Sequence, residues 1–182
     1  MNQENDSDEV LYAAYRAGDM AAFDTLYRRY HQSLYLFLLR RGLSESQAQD
    51  AFHDCWMKLI DEHQHFNGDQ FRAWIYRVAR NMSIDYFRRA SVREAREQEA
   101  RSNHQTSTLS SESVVQDRDC LDLLKNSIAM LPMEQRDAFL LKQEAGLSLH
   151  QIAEVMCVGR ETIKSRLRYA MQQLKNWLED CL

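Results

Sequence analysis

Proline is almost missing from this 182-residue chain, where it occurs only as Pro132, and there are only five glycines. A chain so poor in turn-formers is ill suited to many short strands joined by tight turns, and the apolar spacing is helical throughout, so an all-α protein is expected. Long hydrophobic runs are missing too. None approaches the roughly 18 residues that a membrane span requires, which excludes membrane insertion by a helix. The opening MNQENDSDE is acidic where an export signal would be basic, so the protein is expected to stay in the cytoplasm. Cysteine is sparse, and Cys55, Cys120, Cys157 and Cys181 show no CxxC pairing. That excludes a zinc ribbon and a disulfide framework and fits reduced thiols.

An overall excess of positive charge is also lacking, since the net charge is −4. Its distribution is more informative. Residues 1–65 carry eleven acids against six bases, whereas residues 66–101 carry eight arginines against five acids. A second basic patch, Arg160 to Arg168, holds four bases and one acid. Two basic patches on an acidic chain suit DNA contact at two places and a basic protein partner at a third.

The apolar pattern divides the chain into two small helical domains, expected at 8–92 and 114–180, with a flexible linker at 93–113. In the first, Val10, Leu11, Ala14 and Tyr15, then Phe23, Leu26, Tyr27 and Tyr30, predict a helix pair or one bent helix, punctuated by Gly18-Asp19. The helix continues through Leu34 and Leu39 toward Gly42. Ser44 is suited to cap the next one, which carries Ala48, Phe52, Cys55, Trp56, Leu59 and Ile60. A polar loop is expected at 63–69. From Ser91 to Ser113 the chain is rich in Arg, Glu, Gln, Ser and Thr and has almost no apolar period, which gives the linker.

The C-terminal domain ends in LSLHQIAEVMCVGRETIKSRLRYAMQQL (147–174), which reads as a helix-turn-helix. Ser148 is a candidate N-cap, and Leu149, Ile152, Ala153 and Met156 give the first helix its apolar face. After Cys157-Val158-Gly159, a second helix buries Ile163, Leu167, Ala170, Met171 and Leu174. Arg160, Thr162, Lys164, Ser165, Arg166, Arg168 and Tyr169 lie between these. Such side chains can donate to phosphates and base edges or pack on a thymine methyl, and a helix of this kind enters the major groove by its N-terminal half.

FRAWIYRVARNMSIDYFRR (71–89) is the second constellation. With Trp74, Ile75 and Val78 as core, its other faces carry Arg72, Arg77, Arg80, Asn81, Asp85, Arg88 and Arg89, with Tyr76, Tyr86 and Phe87 among them. Cations that follow phosphates and aromatic faces that stack on unpaired bases would together hold single-stranded nucleic acid, at about 1–3 kcal/mol per stack. The competing account is plain amphipathicity, in which the aromatics are core.

These motifs, in this order, resemble bacterial RNA polymerase sigma factors of the extracytoplasmic-function group. Residues 131–174 are similar to the family's −35-binding domain and 71–89 to its −10-melting segment. AFDTLYRRYHQSLYLFLLRRGLSESQAQDAFHDCWMKLI (22–60) is similar to the part that docks on the polymerase clamp. The resemblance implies an initiation factor without catalytic residues, cofactor or metal, whose partners are core RNA polymerase (clamp helices and flap), promoter DNA and an anti-sigma factor. It implies a monomer when free. It places Arg160, Thr162, Lys164, Ser165, Arg166, Arg168 and Tyr169 on the −35 duplex. Arg77, Arg80, Asn81, Arg88 and Arg89 fall on the −10 region, and the loop Phe66, Asn67, Gly68, Asp69 around a flipped base. Asp50, Asp54 and Asp61 fall on the clamp.

The chain departs from the family in three places. Gln47 and Gln49 stand where acids are common, leaving Asp50, Asp54 and Asp61, and phosphorylation of Ser44 or Ser46 would add about −1.5 to −2 per site. Cys157 stands where glycine is common, which costs about 1 kcal/mol if φ is positive there, and Gly159 takes the place of a serine N-cap. His53 replaces a common glutamine. A metal cluster of His53, Cys55, His63 and His65 is disfavoured, because positions 53 and 55 point about 200° apart on a helix. The alternative function is a helix-turn-helix repressor without polymerase contact, which would leave 45–61 and 71–89 without a role.

Overall fold

The computed structural model describes residues 5–61, 70–101 and 120–178, with side chains for all of these except 93–101 and 120–122. Among the described residues there are eight α-helices and no strand. Helices α1 (Asp8–Arg16), α2 (Met20–Arg40), α3 (Glu45–Asp61) and α4 (Phe71–Arg101) form the N-terminal bundle. Helices α5 (Cys120–Met130), α6 (Met133–Gln143), α7 (Leu149–Met156) and α8 (Arg160–Leu178) form the C-terminal one.

Local chemistry sets the boundaries. The Ser7 hydroxyl accepts from the Val10 amide at the start of α1, and the Asp19 carboxylate accepts from the Ala21 amide at the start of α2. Between them Gly18 has φ 100°, so residues 9–30 are a helix pair and not one bent helix. Ser44 caps α3 with a reciprocal box, in which the Gln47 amide donates to the Ser44 hydroxyl (3.3 Å) and the Ser44 amide to the Gln47 side chain (3.0 Å). Helix α4 does not stop where its apolar period fades. It runs on to Arg101, nine residues past the boundary expected at 92. Arg, Glu, Gln and Ala are good helix formers, and their propensity is enough to continue the helix where the sequence shows no apolar period.

The N-terminal core contains Leu11, Tyr12, Leu26, Tyr30, Leu34, Phe37, Leu38, Trp56, Leu59, Phe71 and Ile75, all at most 3% exposed. Burying each large side chain contributes about 1.5–3 kcal/mol before entropy is charged against it. Two expected core positions turn outward. Val10 is 55% exposed, and its neighbour Tyr12 is buried in its place against Phe71 (5.6 Å between ring centroids). Ile60 is 40% exposed at the end of α3. Asp8 pins α1 to the bundle. It accepts from Arg29 at 2.5 Å and from the Tyr30 hydroxyl, while Arg72 donates to the same hydroxyl at 3.2 Å.

The C-terminal bundle follows its sequence closely. Pro132 takes the N-cap position of α6, and Ser148 and Gln151 form a capping box on α7. Ile163, Ala170 and Leu174 are buried on α8, with Leu167 and Trp177 partly buried against the same core. Met171, expected in this stripe, is 50% exposed.

Candidate nucleic-acid interface

Helix α8 presents its cations as a helix-turn-helix requires. Ile163 anchors its inner face, and Arg160, Thr162, Lys164, Arg168 and Tyr169 are exposed on the outer one. Lys164 donates to Glu161 at 2.6 Å, one turn earlier, and that contact lowers the Glu161 pKa. The Arg168 guanidinium lies 5.1 Å from the Tyr169 ring centroid. Ser165 and Arg166 are half-buried, and Arg166 is drawn inward to Glu134 of α6 at 2.7 Å. The turn ahead of α8 is tight. Cys157 has φ 54° and ψ 43°, a left-handed conformation without glycine, and the Val158 amide closes the turn onto the Ala153 carbonyl at 3.0 Å.

On α4 the expected −10 residues divide. Arg77, Asn81, Arg88 and Arg89 are exposed. Asn81 and Arg88 follow Arg77 at four and eleven residues, so the three share a stripe. Arg80 is only 12% exposed and faces the C-terminal domain. Two of the three aromatics among these cations pack inward. Tyr76 is 1% exposed and packs edge-on against Phe37 (5.1 Å), while the Phe87 ring lies 6.0 Å from the Arg41 guanidinium. Burial is the main cause of the raised Tyr76 pKa, as expected for a core phenol. For Tyr76 the amphipathic account holds. Phe66, Asn67, Gly68 and Asp69 lie outside the described residues.

Asp50, Asp54 and Asp61 are all exposed on α3. They stand on one face with Met57, which is 41% exposed. Burial, helped by Asp54 and Asp50, raises the pKa of Tyr86 on α4, whose phenol lies within reach of these carboxylates. His53 is exposed while Cys55 is buried, so the two do not converge. No cluster of metal-ligand residues occurs among the described residues, and His63 and His65 fall outside them.

A buried charge network that no sequence pattern announces joins the two domains. Arg41, at the C-terminal end of α2, is 1% exposed, and Asp137 of α6 is fully buried. Arg41 donates to both Asp137 oxygens, from Nε at 2.6 Å and from Nη2 at 2.9 Å. Its Nη1 donates to Ser83 and to the Arg80 carbonyl at 2.8 Å. Arg80 donates from Nε to Asp137 at 2.8 Å, and Arg136 returns a bond to the Arg41 carbonyl at 3.0 Å. Burial lowers the Arg41 pKa, and Asp137 opposes that. At the rim Arg40 pairs with Glu144. Two glycines beside the junction have left-handed backbones that disfavour other residues, although a side chain would meet only ordinary van der Waals contact there. A Cβ on Gly42 (φ 108°) would lie 3.5 Å from Arg136 Nη1, and one on Gly146 (φ 64°) would lie 3.6 Å from Arg72 Nη1.

The chain is similar to known proteins in sequence and in fold. The family model described as sigma-70 region 2 matches residues 26–93, and that described as sigma-70, region 4 matches residues 128–176. The ECF RNA polymerase sigma factor SigL of Mycobacterium tuberculosis is 30% identical over 169 residues, covering 90% of this chain and 93% of its own. The ECF RNA polymerase sigma factor SigM of the same organism is 29% identical, covering 94% of this chain and 85% of its own. Two solved structures share the fold. CnrH in complex with the cytosolic domain of CnrY has a TM-score of 0.70 at 22% identity, over 96% of this chain and 99% of that one. The sigma factor RpoE in complex with the anti-sigma factor NepR from Bartonella quintana has a TM-score of 0.66 at 23% identity, over 86% of this chain and 96% of that one.

Proposed function

The chain belongs to the sigma-70 family, in its extracytoplasmic-function group, and from that premise we propose how its two domains divide a promoter between them. It is a transcription initiation factor that brings core RNA polymerase to promoters. It is not an enzyme, and the polymerase performs the nucleotidyl transfer.

The C-terminal domain, 114–180, reads −35 duplex with α8. Thr162, Lys164, Ser165 and Arg166 face base edges and phosphates, with Arg160, Arg168 and Tyr169 on the flanking backbone. The observation that carries this reading is the segregation on α8, where Ile163, Ala170 and Leu174 are buried and Arg160, Thr162, Lys164, Arg168 and Tyr169 are exposed. The N-terminal domain, 8–92, holds the −10 element. Arg77, Arg80, Asn81, Arg88 and Arg89 follow the strand, and Phe66, Asn67, Gly68 and Asp69 receive an extruded base. Asp50, Asp54 and Asp61 meet basic helices of the clamp, and the chain between the domains threads toward the active-site channel. The protein acts in the cytoplasm as a monomer until it binds polymerase. Its remaining partner is an anti-sigma factor, a reading supported by the capture of the similar RpoE by NepR.

Run-off transcription with purified core polymerase on a supercoiled genomic library tests the whole assignment. New, sharply positioned transcripts that depend on the protein are expected, and alignment of their upstream DNA gives both elements. If the protein instead binds duplex DNA tightly without polymerase and yields no transcript, the repressor reading replaces this one.

A further inference from the structure

The charge network between the domains uses groups that the functional reading assigns to DNA. Arg77, Asn81, Arg88 and Arg89 of α4 are exposed, yet Arg80 on the same helix is 12% exposed and donates to Asp137 at 2.8 Å. Glu134, one turn before Asp137, approaches Arg80 at 3.9 Å and holds Arg166 of α8 at 2.7 Å. Two α6 carboxylates therefore occupy one cation from each DNA face. A guanidinium binds a carboxylate and a phosphate with the same fork of N–H groups, so the two anions compete for it.

We propose that Asp137, supported by Glu134, is an autoinhibitory latch. Its carboxylate stands in for a DNA phosphate on Arg80, is fixed in place by the buried Arg41, and holds the free protein closed until the domains part. The proposal rests on the assignment of Arg80 to promoter DNA. The junction is built to open. Arginines make the polar contacts described across it, and water can resolvate each of them. The closed form also leaves polar atoms poorly served. Arg136 Nε and Glu144 Oε2, on residues that bond across the junction, are buried without a hydrogen-bond partner among the described residues. These groups recover hydrogen bonds when the domains separate, which brings the closed and open forms close in free energy. Closure and DNA binding then oppose each other reciprocally.

The test uses the full chain without polymerase. Asp137→Asn keeps the shape and removes the charge. Its radius of gyration in X-ray scattering should rise above that of the wild type. Its affinity for a single-stranded oligodeoxynucleotide of mixed sequence should rise roughly 5- to 150-fold, the usual range of coupling between two sites. Unchanged size and unchanged affinity in a variant that keeps its helical circular dichroism would overturn the latch. If that variant unfolds, the rim pair replaces it. The Arg40 side chain is 37% exposed, so Arg40→Glu should expand the protein without unfolding it, and adding Glu144→Arg should close it again. A double variant that stays as expanded as the single one would equally overturn the proposal. Run-off transcription separates this idea from the functional reading. Expansion with tighter DNA binding but no transcripts from wild type or variant counts against promoter reading and leaves the latch. Transcripts from both proteins with no expansion count against the latch and leave promoter reading.

Discussion

Cys157 shows how a single residue can carry a cost that its neighbours tolerate. Its left-handed backbone (φ 54°) is the conformation that glycine adopts freely, and a side chain there costs about 1 kcal/mol. Cys157→Gly should leave the melting temperature unchanged or raise it by about 2–4 °C, since glycine's greater freedom in the unfolded chain offsets part of the gain. A clear drop in thermal unfolding would mean that the Sγ contact with the Glu154 carbonyl (3.6 Å) outweighs the backbone strain. The other described thiol behaves oppositely. Cys55 is fully buried, and burial, helped by Asp54, pushes its pKa up to about 12. Iodoacetamide at pH 8 should therefore modify the exposed Cys157 and spare Cys55 until the protein is denatured. Peptide mass mapping reads both sites. Alkylation of Cys55 in the native protein would show that α3 opens readily.

At the scale of the element, caps and faces follow the local code, and one residue serves a purpose that composition concealed. Gln47 looks like a missing acid on the helix proposed to meet the clamp, but its side chain closes the capping box with Ser44. Ser44→Ala should therefore destabilise the protein by about 0.5–2 kcal/mol in denaturant melts, with or without phosphorylation. Ser46, whose hydroxyl lies 3.2 Å from that of Ser44 and is not the cap, is the cleaner position for testing a phosphorylation requirement. A Ser44→Ala protein as stable as the wild type would remove the cap from this account. On α8 the exposed cations predict a salt signature. Lys164→Ala and Arg168→Ala should each weaken promoter binding of the holoenzyme. Where the contact is to phosphate, each should lower the slope of log affinity against log salt by about one. An unchanged slope in both variants would place these side chains off the DNA backbone.

For the whole molecule, the domain junction decides which charges are free, and Glu144 makes that junction sensitive to pH. Burial raises its pKa above the ordinary 4.5, and Arg40 from α2 only partly reverses the shift, while Tyr76 of α4 faces it as well. An acid whose pKa is raised in the folded state adds stability at low pH. That contribution is lost as pH climbs from 4.5 through the raised value. Glu144→Gln cannot titrate, so its melting temperature should gain on that of the wild type as pH increases over that window. A constant difference between the two curves would mean that Glu144 is already well solvated. The junction also accounts for what was hard to read beforehand. Arg40-Arg41 looks like any basic pair at a helix C-terminus, and Asp137 like a surface acid. Only the packing of α2 and α4 on α6 brings them together. Tyr76 illustrates the reverse difficulty, because an aromatic between arginines fits both a stacking platform and a core, and only the position of Phe37 decides between them.

The sequence by itself determined the all-helical class, the Ser44 and Ser148 caps, the helix-turn-helix and the division into two basic faces, and it marked Cys157 as costly should φ be positive there. Each of these depends on residues within a turn or two of one another, where hydrogen bonding and periodicity act without the rest of the fold. It also carried the family, because the segments that resemble the family's three motifs stand in the same order along the chain. Tertiary structure alone decided that Tyr12 is buried and Val10 exposed, that Met171 leaves the α8 stripe, and that Arg80 faces Asp137 and not solvent. Those outcomes depend on which helix lies opposite, and contacts between residues 41, 80 and 137 leave no periodic trace in the sequence.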